Sequence, residues 1–158
     1  MFLKLQSLGW SNDASIQQPG QISLQNKLQY SISHCPVIGG FICLSPKSRQ
    51  RIGLDLEDPN RVNEKNMGRI SSAEELEKAP DPASLWVAKE AFYKSLPLEL
   101  QPLIISQTEI TKWVRLKRNM YTFWGNQKET QLFSNSKGVV IAYEGLKIGL
   151  CIFYSIFS

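Results

Sequence analysis

Regular spacing of apolar positions begins at residue 28. Leu28, Tyr30 and Ile32 alternate with polar neighbours and predict a half-buried strand that runs into Ser33-His34. The apolar run from Val37 to Leu44, broken by Gly39-Gly40, predicts a second strand, and Ile52 to Glu57 a third that stops at the turn Asp58-Pro59-Asn60. A polar turn from Ser45 to Arg51 joins the last two, so the three strands are expected to form an antiparallel meander. Ser71-Ser72-Ala73-Glu74 sets an acid three residues after a serine, the capping-box pattern of a short helix. Asp81-Pro82 then supplies an N-cap with proline at the first helical position; the spacing predicts a helix to about Leu96, and Pro97 ends it. Leu103 to Ile105, Ile110 to Leu116, Tyr121 to Trp124, Val139 to Tyr143 and Lys147 to Tyr154 read as further strands, the last two joined by a Glu144-Gly145 hairpin turn. Residues 1–27, rich in Gln, Ser and Asn, are set apart as an arm or edge strand from a domain covering 28–158. The sum is an α+β domain, an antiparallel sheet packed against one long helix.

A length of 158 residues, 42% of them hydrophobic and 20% charged, suits one domain with its own core. The net charge of +4 is a mild basicity that favours anionic ligands or acidic partners. The one dense basic run, Lys112, Arg115, Lys117 and Arg118, is too local for a nucleic-acid surface, and no nucleic-acid partner is expected. Cys35, Cys43 and Cys151 are odd in number and form no CxxC pair, which excludes a zinc site of the usual spacing and a complete disulfide framework. A reducing cytoplasm is the expected compartment. No apolar run approaches the ~18 residues of a spanning helix, and no membrane association is expected.

Asp55 and Glu57 stand two apart on the third strand, so the pleat turns both carboxylates to one face and Leu54 and Leu56 to the other. Paired acids repel unless a cation lies between them, and an all-oxygen set suits a hard divalent ion such as Mg²⁺; two solvated acids at a strand end is the plainer alternative. On the long helix, Trp86, Lys89, Glu90, Tyr93 and Lys94 fall within one arc. Glu90 and Lys94 form an i,i+4 pair, either a surface ion pair or, with Lys89, a group aimed at an ion and a phosphate chain. His34 is the sole histidine and cannot be half of a two-histidine metal site. Ser31-x-Ser33-His34 makes a polar strand end able to grip an anion.

Taken together, Ser31-Ile32-Ser33-His34, Ile52-Gly53-Leu54-Asp55-Leu56-Glu57 and Trp86-Val87-Ala88-Lys89-Glu90-Ala91-Phe92-Tyr93-Lys94 resemble the three signature motifs of the 4′-phosphopantetheinyl transferase superfamily. That resemblance implies transfer of the 4′-phosphopantetheine arm of coenzyme A to a serine of an acyl or peptidyl carrier protein, with Mg²⁺ as cofactor and 3′,5′-ADP released. It also implies the roles: Asp55, Glu57 and Glu90 as metal ligands, Glu90 as base, Lys89 and Lys94 on the pyrophosphate, His34 and Ser33 at the coenzyme A phosphate. The chain mixes the family's two types. It has the length of one half of the surfactin-synthetase-activating type, yet carries a Ser-x-Ser-His that the small holo-acyl-carrier-protein synthase type lacks. A second copy is therefore expected to supply the other wall of the cleft, making a homo-oligomer, and Lys112 to Arg118 is a candidate docking surface for an acidic carrier. Two other classes remain open: a non-catalytic coenzyme A or carrier-binding module of the same fold, and a metal-dependent nuclease, disfavoured because Leu54 to Asp58 holds no lysine.

Overall fold

A computed structural model describes residues 2–7, 29–36, 38–44, 50–127 and 136–154. Leu28, the arm from 8 to 27 and residues 45–49 of the polar turn expected at Ser45 to Arg51 lie outside the described residues, while Gln50 and Arg51, expected in that turn, already belong to a strand. Strands β1 (Phe2–Ser7), β2 (Gln29–Cys35) and β3 (Ile38–Leu44) form an antiparallel sheet in the order β1-β3-β2. Strand β4 (Gln50–Glu57) is followed by helices α1 (Glu64–Met67), α2 (Ala73–Lys78) and α3 (Pro82–Ser95). Strands β5 (Thr108–Lys117), β6 (Met120–Gln127), β7 (Ser136–Tyr143) and β8 (Leu146–Tyr154) complete an antiparallel sheet ordered β4-β8-β7-β6-β5.

The meander stops one strand short of the expectation. β3 pairs with β2, but β4 pairs with β8 from the far end of the chain, Asp55 opposite Gly149. On the free edge of β4, the backbone N–H groups of Leu54 and Leu56 donate to the hydroxyls of Ser31 (2.9 Å) and Ser33 (3.1 Å). The serine hydroxyls take the place of a neighbouring strand's carbonyls, leaving no buried donor orphaned there. This also inverts β2: Ser31, Ser33 and Cys35 are buried, while Tyr30 and Ile32 are exposed.

Two apolar layers flank the larger sheet. On one face Leu54, Leu56, Ile148 and Leu150 pack with Ile42 and Leu44 of β3. On the other, Leu85, Val87, Ala88, Ala91 and Phe92 of α3 meet Phe123, Val140, Cys151 and Phe153. Gly53 lets the helix come this close, since a Cβ there would stand 1.9 Å from the Ala91 carbonyl oxygen. Asp81 caps α3 by accepting from the Ser84 N–H at 2.8 Å, with Pro82 at its start, as the sequence indicated.

Three further details differ or sharpen. Leu103 to Ile105 is not a strand: Leu103 is 94% exposed, and a short 3₁₀ turn covers Ile105–Gln107. Three apolar residues behind a proline find no strand to pair with. The capping box of α2 is formed by Ser72 and Glu75, one residue later than the expected Ser71 and Glu74, because the Glu75 side chain is the one drawn into the core. The hairpin at Glu144-Gly145 has both residues at positive φ, 47° and 78°, the geometry of a tight two-residue turn that glycine favours.

Candidate functional site

Alternation along β4 puts Arg51, Gly53, Asp55 and Glu57 on the face that receives α3. The helix lies over this row and brings Glu90 and Lys94 to it. Asp55 is 5% exposed. Its Oδ1 accepts from Lys94 Nζ at 2.7 Å and from the Ser33 hydroxyl at 2.8 Å. Its Oδ2 is buried and has no hydrogen-bond partner among the described residues. Lys94 Nζ also stands 3.7 Å from Glu90 Oε2, so one ammonium group links acids on two elements. Glu57 Oε1 accepts from the Asp58 N–H at 2.9 Å and from Arg61 Nη1 at 3.3 Å.

Burial pushes the Asp55 carboxyl above its ordinary value, and the charge and hydrogen bond of Lys94, with the Ser33 hydroxyl, offset only part of this. Burial likewise raises the Glu90 carboxyl; Lys94 pulls it down, while the negative charges of Asp55 and Glu57 push it up. Glu90 feels the charges of Asp55 and Glu57, and the described residues set two cations, Lys94 and Arg61, against the three acids. The ionised cluster is short of positive charge, and Asp55 Oδ2 is an acceptor with nothing to accept. An all-oxygen set of this kind fits a hard divalent cation better than a thiophilic one. As the side chains stand, no three His, Cys, Asp or Glu among the described residues form a ready metal cage.

Of the remaining sequence candidates, Lys89 and His34 part from this cluster, and Ser33 stays with it. Lys89 is wholly buried, with Nζ 2.8 Å from Glu75 Oε1 and 2.6 Å from the Thr108 carbonyl oxygen. Thr108 opens β5, the sheet edge opposite β4, so Lys89 and Lys94 reach toward opposite edges. Five residues at ~100° each separate them by about 140° around the helix axis, too wide for a single face. Glu75, which the sequence did not single out, closes the buried pair: its Oε1 also accepts from the Ile110 N–H at 3.0 Å, and its Oε2 from the Ser72 N–H at 3.0 Å. Ser33 is engaged by Asp55 and the Leu56 N–H. His34 is exposed on β2, and its imidazole has no hydrogen bond or ion pair to another described residue.

A cavity of about 230 Å³ opens beside Lys94, lined also by Gln29, Tyr30, Arg51 and Ile52. The sequence reading put Arg51 in the turn before Ile52; the strand in fact begins at Gln50, which gives Arg51 the parity of Asp55.

A family model, that of the 4′-phosphopantetheinyl transferase superfamily, matches residues 51–151, about two thirds of the chain. The chain belongs to this superfamily. The matched span opens at Arg51 and closes at Cys151, so it takes in β4, α3 and nearly all of the larger sheet, together with Asp55, Glu57, Glu90 and Lys94. Ser33, His34 and the β1-β3-β2 sheet lie before it. Among curated proteins, none matches the chain closely enough to count as a relative. Membership carries phosphopantetheine transfer in general, from coenzyme A to carrier proteins. No helix among the described residues is long and apolar enough to cross a membrane.

Proposed function

We propose that this protein transfers the 4′-phosphopantetheine arm of coenzyme A to the serine of an acyl or peptidyl carrier protein, using Mg²⁺, and so acts as a holo-acyl-carrier-protein synthase. The observation that carries this reading is the meeting of Asp55 and Glu90 across Lys94. It combines an orphaned buried carboxylate oxygen, a carboxyl with raised proton affinity and an ammonium group, which together suit metal-assisted phosphoryl transfer.

Asp55, Glu57 and Glu90 would hold the metal, which supplies charge neutralisation on the substrate diphosphate when bound. Lys94 binds and orients that diphosphate. Glu90, with its raised proton affinity, receives the proton of the carrier serine hydroxyl, directly or through one water. The serine oxygen forms a bond to the phosphorus that bears pantetheine. The bridging P–O bond breaks, and its electron pair leaves with 3′,5′-ADP. Lys89 takes a different part here: locked to Glu75, it holds α3 in place so that Glu90 and Lys94 face β4.

Carrier docking is assigned to the exposed basic edge at Lys112, Arg115, Lys117 and Arg118, where Lys112 and Lys137 flank the Trp124 ring at 5.0 and 5.3 Å. That edge lies four strand spacings from β4, about 19 Å, a distance a small carrier domain can bridge. Charge reversal at Arg115 and Arg118 should raise KM for the carrier and leave KM for coenzyme A alone. The second copy expected from chain length is a separate proposal, since the β2-β3 hairpin already covers the free edge of β4 within one chain. Light scattering on active protein decides it, and a fully active monomer refutes it.

The test of the proposed reaction is incubation with coenzyme A, Mg²⁺ and an apo carrier protein, read by mass spectrometry. The carrier should gain one phosphopantetheine arm, and Glu90→Gln should remove the gain while the protein stays folded. A wild-type protein that binds coenzyme A and carrier without any mass gain supports the non-catalytic binding module instead.

A further inference from the structure

The cavity beside Lys94 has a cation that the signature motifs do not use. Arg51 lies on the α3-facing side of β4, four residues before Asp55, a separation of about 13 Å along an extended strand. It is half-buried, and its guanidinium has neither an ion pair nor a hydrogen bond with another described residue. Lys94, by contrast, is engaged by both Asp55 and Glu90. Gln29 adds a second unmet group to the same wall, because its Oε1 is buried without a partner. A guanidinium with no partner among the described residues calls for a ligand that brings negative charge, and the Gln29 amide, whose Oε1 gains nothing where it stands, can satisfy an anionic oxygen by turning its Nε2 into the hollow. A volume of about 230 Å³ is below the ~300–1,000 Å³ of a site that encloses a whole cofactor, but it has room for a phosphate group.

We infer that Arg51 is a phosphate-binding residue of this site, clamping one phosphate of the nucleotide substrate between its guanidinium and Lys94, with the Gln29 amide turned to donate Nε2 to the same group. The inference rests on the reading of the substrate as coenzyme A. Its physical basis is independent of the transfer step. The planar fork of arginine matches two phosphate oxygens at once, and the half-buried setting limits screening by water and salt. The reacting diphosphate would be held by Lys94 and by the cation that the carboxylate cluster would carry, and Arg51 extends the cationic row away from it along β4. The shared chemistry is a phosphate, and two sources fit: the diphosphate bridge and the 3′-phosphate of the ribose.

The experiment is equilibrium binding by titration calorimetry of coenzyme A and of 3′-dephospho-coenzyme A to the full chain, comparing wild type, Arg51→Gln and Arg51→Lys. Loss of a charged hydrogen-bond pair is expected to weaken coenzyme A binding about 10- to 100-fold in Arg51→Gln. Arg51→Lys should recover part of the loss, since it restores charge but not the fork. Equal weakening of both ligands assigns Arg51 to the diphosphate; weakening of coenzyme A alone assigns it to the 3′-phosphate. An Arg51→Gln variant that melts at the wild-type temperature and binds both ligands as wild type does overturns the inference. A wild-type protein that binds neither ligand instead overturns the reading of the substrate.

Discussion

Lys89 gives the sharpest separation between a structural and a chemical role. Replacing it by methionine keeps the aliphatic stem and deletes the charge, leaving the Glu75 carboxylate buried with only the N–H groups of Ile110 and Ser72 for company. Lys89 is fully buried and Glu75 is 2% exposed, so little solvent reaches the orphaned charge. Removing one partner of such a pair costs about 3–5 kcal/mol. Against a typical domain stability of about 5–15 kcal/mol that is a large fraction. At about 2–4 °C per kcal/mol for a chain of this size, the melting temperature should fall by about 6–20 °C. The assay is urea unfolding: the midpoint should drop at unchanged slope. Converting Glu75 to leucine in the Lys89→Met background should recover part of the loss, and the cycle should return a coupling of the same order. In the folded fraction, KM for coenzyme A should stay at the wild-type value. A stability loss under about 1 kcal/mol together with a large rise in that KM would refute the argument and place Lys89 on the substrate phosphates.

Two more outcomes follow from the same packing. Gly53→Ala should destabilise by at least about 1–3 kcal/mol and lower kcat as well, because the new Cβ meets the Ala91 carbonyl oxygen at 1.9 Å and displaces the turn carrying Glu90 and Lys94; an unchanged melting curve would contradict the described helix contact. Burial alone would raise the Asp81 carboxyl, but the hydrogen bond from Lys147, the Ser84 N–H and hydroxyl, and the Lys147 charge outweigh it and hold the group below its ordinary value. A carboxyl depressed in the folded state contributes stability above its unfolded pKa of about 3.9, and that contribution is lost as pH falls through the folded value. Asp81→Asn, which still caps the helix, should therefore flatten the acid limb of the melting-temperature profile, and an unaltered limb would remove Asp81 as its cause.

Local periodicity made β4, α3, β7 and β8 legible, because each has a strict period and a clear stop: Asp58-Pro59, Pro97, or the Glu144-Gly145 turn. It could not show that β4 crosses to β8, since that pairing joins residues nearly a hundred positions apart. Nor could alternation say which face of β2 is buried. Ser31 and Ser33 turn inward because β4 has N–H groups to satisfy, and nothing in the β2 sequence itself reports that demand. At the site, the two-residue spacing of Asp55 and Glu57 and the i,i+4 spacing of Glu90 and Lys94 were readable directly. Lys89 was not, because its destination depends on Glu75 and Thr108, which lie on other elements. Arg51 was not legible, because its polar neighbours read as a turn and only the start of β4 at Gln50 puts it in the row of Asp55.

Asp55, Glu57 and Glu90 are proposed to form one cation site completed by substrate. It is tested most directly by electron paramagnetic resonance titration of the protein with Mn²⁺, used in place of Mg²⁺, in the presence of coenzyme A. One tightly bound ion per chain is predicted, lost in Asp55→Asn although that variant remains folded. Undiminished binding in Asp55→Asn, or no stoichiometric ion in the wild type, would contradict it.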